Sequence, residues 1–200
     1  MKATPRPYHH GNLREALLRA AEEALENGGA PSISLRELSR ELGVSHTSPR
    51  RHFADKKALL DALALRGFQR FGEVWGRAAK QGGPGFKGRL TKLARVYVGF
   101  ALKHPALLSL MFEAKHRPDA PRELFEASEK AFGHAHATFR EAQAAGEVVP
   151  GDPWRLSLVA FSALHGLISI SDNGKFKGIP LDRLVGEVIE RIILGLRPRP

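Results

Sequence analysis

The chain has 200 residues, of which 42% are hydrophobic and 26% charged, and it contains no cysteine. This composition is typical of a folded globular protein, and it excludes wholesale disorder, disulfide bonds and thiolate metal sites. No apolar run reaches the roughly 18 residues of a membrane span, and the N-terminus lacks the apolar core of a secretory signal. We therefore expect a cytoplasmic protein of one or two domains.

The net charge of +10 is the unusual number in the composition. Such a basic chain favours a polyanionic partner, most often nucleic acid. Residues 1–80 contain 14 basic and 9 acidic side chains, and residues 81–200 contain 17 and 12, so both parts carry an excess of +5. The charge by itself therefore does not locate a binding site.

Helical periodicity begins near Leu13 and predicts a first amphipathic helix that ends at the glycines 28 and 29. Ser34 and Glu37 have the spacing of a capping box, which predicts a short second helix. This helix should end at Gly43, where a positive φ is expected.

Two further helices are predicted directly after Gly43. Ser45 is the expected N-cap of a third short helix from His46 to about His52, and Asp55 is the expected N-cap of a fourth helix over 56–80.

The remainder of the chain is also helical in pattern, with its breaks at glycine and proline. Helices are predicted over 88–103, 105–114, 122–145, 154–171 and 181–196, and the intervening turns contain Gly82, Pro118, Pro150 and Asn173-Gly174. No strand is predicted. The sequence thus predicts an all-α protein of about nine helices, in which helix 56–80 connects a domain over 1–57 to a domain over 58–200.

The segment Ser34–Lys57 matches the plan of a helix-turn-helix motif. Apolar residues in its first helix and turn would fix the angle of its second helix, whose first turn would meet base edges in the major groove. That first turn contains His46, Thr47 and Ser48, and over residues 43–57 the basic side chains exceed the acidic ones by three. Phosphate contacts would be needed at this place.

The same region resembles the DNA-binding domain of TetR-family transcriptional regulators. The family pattern is matched by Ser34, Leu35, Arg36, Leu38, Gly43, Val44, Ser45, His52, Phe53, Lys56, Leu59 and Leu60, and the run Tyr8–Arg14 resembles the opening of the first helix in one branch of the family. The resemblance implies a three-helix DNA-binding domain followed by a helical ligand-binding and dimerisation domain. Such proteins are usually repressors that a small molecule releases from a palindromic operator in double-stranded DNA.

The resemblance also implies roles for individual residues. Ser34 and Lys56 would contact phosphate, His46, Thr47 and Ser48 would face the groove, and His52 would lie near the DNA backbone. The predicted DNA-binding set is Ser34, Ser45, His46, Thr47, Ser48, Arg50, Arg51, His52 and Lys56.

This sequence departs from the family pattern at two positions. Arg50 stands where the family has a tyrosine, and it would either contact phosphate or reach a guanine edge. Pro49 removes a backbone donor inside the third helix. Two alternatives also stay open, since His52 could serve a local hydrogen-bond network, and the basic N-terminal arm with Lys2 and Arg6 could enter a minor groove or only aid solubility.

The run Ala163–Leu167 resembles the W-H-G signature of one group of TetR-family C-terminal domains, with Leu164 in place of tryptophan, and the run 103–112 fits the same group. This resemblance implies that helices 154–171 and 181–196 pair with their symmetry mates in a homodimer. Helix 154–171 has too many apolar positions for one buried stripe, which agrees with this interpretation. The alternative is an ordinary core helix.

A cavity for a small-molecule effector would lie among helices 88–103, 105–114, 122–145 and 154–171. Its candidate residues are Tyr97, Phe100, Leu108, Met111, Phe112, Phe132, His136, Phe139, Phe161 and His165, each of which could equally be plain core packing. His134 and His136 lie two residues apart and so point to different helix faces, which argues against a zinc site. No metal or cofactor is predicted.

Two other classes of function compete with a regulator. An enzyme is disfavoured because no nucleophile elbow, zinc-protease or phosphate-loop motif occurs. A structural DNA-coating protein would not need the large second domain with its many aromatic residues. The prediction is a sequence-specific, ligand-responsive homodimeric repressor without catalytic activity.

Overall fold

The computed structural model describes residues 13–171 and 175–198. In these ranges the chain forms eight α-helices: α1 (Leu13–Gly28), α2 (Leu35–Glu41), α3 (Lys56–Gln81), α4 (Gly85–Lys103), α5 (Pro105–Lys115), α6 (Arg122–Ala144), α7 (Pro153–Ser169) and α8 (Leu181–Leu196). The predicted all-α class is confirmed, with eight α-helices in the described part where about nine were expected. The predicted role of Lys2 and Arg6 in the N-terminal arm lies outside the described ranges, and so does the part of the run Tyr8–Arg14 that precedes Leu13.

The difference in helix number comes from the predicted third helix, which is wrong as an α-helix. Residues 46–48 form a turn, and only Pro49–Arg51 form a short 3₁₀ helix. Proline has no N–H to donate to the preceding turn, so the α-helical hydrogen-bond ladder cannot run through position 49. Ser45 therefore does not cap an α-helix here.

Local signals placed most of the other helix ends correctly. The Asp55 carboxylate accepts a hydrogen bond from the Ala58 N–H at 2.8 Å, and the Asp152 carboxylate accepts one from the Trp154 N–H at 2.9 Å, so both act as N-caps. Gly146 follows α6 with φ 70°, a conformation that favours glycine. The predicted capping box is wrong, because the Ser34 side chain makes no cap hydrogen bond to α2.

One element was not predicted. Strands β1 (Lys175–Phe176) and β2 (Ile179–Pro180) pair antiparallel, and the turn between them has positive φ at Lys177 and Gly178. Two residues per strand are too few for the alternation of apolar and polar residues by which a strand is recognised. The predicted turn at Asn173-Gly174 lies outside the described residues.

The chain divides into two compact units. Unit 1 comprises residues 1–67 and 106–124, and unit 2 comprises residues 68–105 and 125–200. The chain passes from the first to the second within α3. The functional boundary expected after residue 57 stays a prediction.

Unit 1 has a small aliphatic core under its two N-terminal helices. Leu17 and Leu25 of α1, Leu38 of α2, and Leu59 and Leu63 of α3 are all buried. The Glu26 carboxylate, at the end of α1, accepts hydrogen bonds at 3.1 Å from the backbone N–H groups that begin α5. A carboxylate at a helix N-terminus satisfies otherwise unpaired donors and complements the helix dipole, so it holds α5 against α1.

Unit 2 has a core of aromatic rings, and its last helix, α8, has an aliphatic buried face. The buried face of α8 contains residues at three- and four-residue spacing, namely Leu181, Val185, Ile189, Ile193 and Leu196, and α8 packs on α4 and α7. Across the described part of the chain, no helix is both long and apolar enough to cross a bilayer.

Candidate nucleic-acid interface and apolar cavity

The turn after α2 has the geometry that the helix-turn-helix prediction requires. Gly43 has φ 66°, its N–H donates to the Arg40 carbonyl, and the Val44 N–H donates to the Ser39 carbonyl at 3.0 Å. This pair of bonds is a Schellman motif, which satisfies the last carbonyls of a helix and turns the chain sharply. The turn therefore sets the direction in which the chain leaves α2.

The chain after this turn, residues 45–52, is called here the recognition segment. Ser45, His46 and Thr47 at its start are exposed. The Ser45 hydroxyl lies 3.1 Å from the Thr47 hydroxyl and 2.7 Å from the Ser48 hydroxyl. Each hydroxyl has both donor and acceptor capacity, so this cluster can still bond to base edges or phosphates.

Two apolar anchors hold the recognition segment on unit 1. Pro49 is buried within it, and Phe53 directly follows it with 3% of its surface exposed. The guanidinium of Arg14, on α1, lies 5.4 Å from the centre of the Phe53 ring, a distance suited to a cation–π contact. Burial of these two residues leaves the polar residues around them facing solvent.

The predicted cationic contacts are divided between free and paired groups. Arg50, Arg51 and His52 are exposed. Lys56, at the first position of α3, donates a hydrogen bond from Nζ to the Pro31 carbonyl at 3.2 Å. Ser34 stands in extended conformation immediately before α2, with its hydroxyl not used as a cap.

The neighbouring Lys57 belongs to a network of four charges in unit 1. Its Nζ lies 3.3 Å from the Asp61 carboxylate and 3.1 Å from that of Asp119, and Arg117 also pairs with both aspartates. The hydrogen bond that Lys57 donates to the Asp119 carboxylate raises the pKa of Lys57 and lowers the pKa of Asp119. Among the four basic side chains of the described residues 43–57, Lys57 is the one that pairs with acidic side chains. The local excess of +3 did not show this pairing, because Asp61 and Asp119 lie outside the counted segment.

The candidate effector residues are divided between the two compact units. Leu108, Met111 and Phe112 belong to unit 1, where Met111 packs closely against Gly67. The other candidates belong to unit 2, and His136 is half-buried on α6 there, where desolvation lowers its pKa. The α5 candidates therefore belong to a different unit from the rest.

A cavity of about 20 Å³ lies within the aromatic core of unit 2. Its wall is formed by Trp75, Leu90, Leu93, Ala94, Tyr97, Ala135, Phe139, Ser157, Ala160, Phe161 and Leu164. Of the predicted residues, Tyr97, Phe139 and Phe161 line it. Phe132 packs edge-on against Phe161 behind the wall, with ring centres 4.9 Å apart, and Phe100 belongs to the same cluster through Phe71.

His165 is joined to this wall by a hydrogen bond. Its Nδ1 lies 2.5 Å from the Tyr97 hydroxyl oxygen. Burial raises the pKa of Tyr97 and lowers the pKa of His165, so both side chains are neutral at neutral pH. The pair is a neutral polar group at the edge of an apolar space.

Trp75 was not predicted as a wall residue, because the cavity was expected only among helices that follow α3. A signal was present, since Phe68, Phe71 and Trp75 recur on α3 at three- and four-residue spacing. All three are buried, and the Phe71 and Trp75 ring centres are 4.8 Å apart.

The two helices predicted to form a dimer interface each have an apolar face that unit 2 does not cover. On α7, Val159 is 64% exposed and Ala163 is also exposed, whereas Ala160 and Leu164 face the cavity. On α8, Leu184, Val188 and Ile192 recur at three- and four-residue spacing and are partly exposed, whereas Leu196 is buried within the protomer.

Comparison with known proteins identifies the family. Residues 17–63 match the model of bacterial regulatory proteins of the tetR family, and residues 90–196 match the model of the tetracyclin repressor-like C-terminal domain. Residues of the chain are 45% identical over 51 positions to the class C tetracycline repressor protein of Escherichia coli. That match covers 26% of this chain and 23% of the repressor, so it spans less than a quarter of that protein.

Solved structures resemble the chain over nearly its whole length. A protein of unknown function from Rhodococcus sp. RHA1 is 42% identical, with a TM-score of 0.89 over 96% of this chain and 100% of that one. A TetR-family transcription regulator from Marinobacter aquaeolei VT8 has the same fold at 17% identity, with a TM-score of 0.73 over 93% of this chain and 96% of that one. The C-terminal family model alone matches more than half of the chain. The chain belongs to the TetR family of bacterial regulatory proteins, which are DNA-binding regulators of transcription.

Proposed function

We propose that this protein is a ligand-responsive repressor that acts in the cytoplasm as a homodimer on a palindromic operator. The recognition segment of each protomer enters the major groove at one half-site, and the half-sites lie about one helical turn apart, ~34–36 Å. A small molecule bound in unit 2 releases the operator. The protein has no catalytic role in this proposal.

The observation that carries the proposal is the exposed polar surface of the recognition segment. The Gly43 turn directs this segment away from α2, and the buried Pro49 and Phe53 anchor it. A cluster of hydroxyls therefore faces solvent beside the exposed Arg50 and Arg51. Hydroxyls and arginines are the groups that read base edges and hold phosphates.

The uncovered faces of α7 and α8 support the dimer. Val159 and, one turn away on α7, Ala163 expose apolar surface to solvent. Both belong to unit 2, which also contains the cavity. An exposed apolar face on a two-helix layer is typical of an isologous interface, in which each protomer contributes the same surface. A dimer would also give the two recognition segments the two-fold relation that a palindrome requires.

The experiment that tests the proposal is selection of bound duplexes from a random pool. We expect an enriched sequence with two inverted half-sites, and binding to it at least about a thousand-fold tighter than binding to random duplex. Equal affinity for selected and random duplexes would instead support a DNA-coating protein and would contradict the proposal. Whether bound operator represses or activates is then read from transcription in the presence of the selected site.

A further inference from the structure

The positive charge of residues 81–200 is concentrated in one helix of unit 2. Helix α4 contains five basic residues and no acidic one, whereas the rest of this range contains 12 basic and 12 acidic residues. None of the other seven α-helices in the described part carries so large an excess. The excess of +5 in residues 81–200 is therefore the charge of α4.

Two of the five cations of α4 are paired inside the protein. Lys87 Nζ lies 3.8 Å from the carboxylate of Glu190 on α8, and the guanidinium of Arg89 lies 3.6 Å from the carboxylate of Glu147. These two cations have counter-charges and need no external partner.

The other three cations of α4, Lys92, Arg95 and Lys103, are called here the cationic face. All three are exposed, and in the described part of the chain no carboxylate forms an ion pair with any of them. Because Arg95 lies three residues after Lys92 and eight before Lys103, the three side chains lie on one side of the helix. From residue 92 to residue 103 the helix rises by about 16 Å.

The backbone of α4 is open in the middle of the cationic face. Gly99 lies on the same side of the helix, four residues from Arg95 and four from Lys103. It is exposed, and a Cβ there would meet nothing within 4 Å. A partner can therefore approach the helix closely between the two cations. Lys92 and Arg95 repel each other at their spacing, so the arrangement itself does not stabilise the helix.

The surroundings of the cationic face favour a nucleic-acid backbone over other polyanions. Leu102, at 45% exposure, is the one large apolar side chain of α4 at the surface. An anionic membrane is bound through a broad apolar helix face as well as through cations, and a protein interface has an apolar centre. A phosphate backbone requires only cations along its path.

We propose that the cationic face of α4 is a second contact for the phosphate backbone of duplex DNA, independent of sequence and additional to the recognition segment. It goes beyond the proposed function, because it requires neither an effector nor a palindrome. Its role is to hold the protein on DNA of any sequence while the recognition segment searches for its site.

A variant of the full-length protein tests the proposal by salt titration on random duplex. This face variant combines Lys92→Gln, Arg95→Gln and Lys103→Gln. We expect the slope of log affinity against log salt to fall by about three units per protomer, since each lost phosphate contact lowers it by about 0.9. The preference for the selected operator should stay, because the recognition segment is intact, and the midpoint of thermal unfolding should not fall.

A matched control removes the same charge from unit 2 without touching α4. It combines Arg77→Gln on α3, Arg140→Gln on α6 and Lys177→Gln in the turn between β1 and β2, three exposed positions on different elements. Loss of net charge alone weakens only the long-range attraction to DNA, so the control should lower the slope by less than about one unit per protomer.

Photo-crosslinking places the contact on the helix. The chain contains no cysteine, so Gly99→Cys provides a single thiol for a benzophenone crosslinker. Gly186→Cys on α8 is the matched position, since Gly186 is also exposed and open but has Asp182 and Glu190 one turn away. We expect Gly99→Cys to crosslink random duplex at least about ten-fold more than Gly186→Cys, because cations attract the phosphates and carboxylates repel them.

The proposal is overturned if the face variant keeps the full salt slope, if the control lowers the slope equally, or if the two crosslinking positions give equal yields. Crosslinking from Gly99→Cys to phosphatidylglycerol vesicles but not to duplex would assign the face to a membrane and would also overturn it. The crosslinking comparison keeps all three cations, so it decides the matter even where the face variant fails to fold. Selection of the operator depends on the recognition segment and would be unaffected by failure here.

Discussion

The recognition segment in unit 1 and the cavity wall in unit 2 are built in opposite ways. The polar and cationic side chains of the recognition segment are exposed, whereas the buried Pro49 within it and the buried Phe53 directly after it anchor its backbone. In the cavity wall, the candidate ligand contacts are themselves the core, as the buried Tyr97 and Trp75 show. A substitution of an exposed side chain in the recognition segment should therefore change binding with little effect on stability. A substitution in the cavity wall should change both.

The largest effect should come from removing an anchor of the recognition segment. Phe53→Ala deletes a ring that is 3% exposed and should lower the free energy of unfolding by about 3–5 kcal/mol, with loss of operator binding. Phe125→Ala is the matched control, since that ring is 53% exposed and its loss should cost about 0.5 kcal/mol or less. Urea denaturation measures both, and equal losses would show that Phe53 is not an anchor.

A charge on the uncovered face of α7 should break the proposed dimer without unfolding the protomer. Val159→Glu would bury an unpaired carboxylate in the interface and should weaken dimerisation by about 3 kcal/mol, or about a hundred-fold. Ala144→Glu places the same charge at an exposed position on α6 and should leave the dimer intact. Sedimentation equilibrium reads the outcome. If the Val159→Glu protein still forms a dimer, the interface does not include this face of α7.

The turn before the recognition segment depends on the backbone of one glycine. A Cβ at Gly43 would meet nothing within 4 Å, so Gly43→Ala tests only the φ of 66° and should cost about 1–2 kcal/mol. Gly99, inside α4, is equally open but lacks a positive φ, and Gly99→Ala should stabilise by about 0.5–1 kcal/mol. Opposite signs in thermal unfolding support the turn geometry, and the same sign at both positions contradicts it.

The smallest effect concerns Asp119, which pairs with Lys57 and Arg117 on the surface of unit 1. Its pKa is lowered in the folded protein, mainly by the hydrogen bond from Lys57, so its contribution to stability is present above its unfolded pKa and lost as pH falls through the folded pKa. Asp119→Asn should therefore be slightly less stable at pH 7, and the difference should vanish in acid.

Glu73→Gln, at an exposed position in the middle of α3, is the comparison for this change, and it should leave stability nearly unchanged over the same range of pH because it lies far from either helix end. The difference between Asp119→Asn and the natural protein is followed by urea denaturation from pH 7 down to pH 3. If the difference in stability between Asp119→Asn and the natural protein grows as the pH falls, the direction assigned to the pKa shift of Asp119 is wrong.

Helix ends were predictable wherever one residue decides the local backbone. Gly43, Gly146 and Asp152 act through their own φ or their own side chain, so no distant contact was needed to place them. The predicted third helix was wrong because Pro49 interrupts the hydrogen-bond ladder from within; the missing donor was visible in the sequence, but a helix was still expected from the family pattern.

The cavity was only partly predictable, because it depends on which helices pack together. Periodicity shows that Met111 and Tyr97 are buried, but it does not show that Met111 lies in unit 1 and Tyr97 in unit 2. The bond between Tyr97 and His165 joins residues 68 positions apart, and no local pattern announces it. Candidate functional residues in an exposed, continuous segment were therefore easier to predict than candidate residues in a core formed by several helices.

The most direct test of the account compares two changes in the recognition segment on selected and random duplexes over a range of salt. Arg51→Ala should weaken binding to both duplexes equally and reduce the salt slope by about one unit. Thr47→Ala should leave the slope unchanged and lower the ratio of specific to random affinity by about ten-fold. A Thr47→Ala protein that keeps its full sequence preference would contradict the claim that the recognition segment reads the operator.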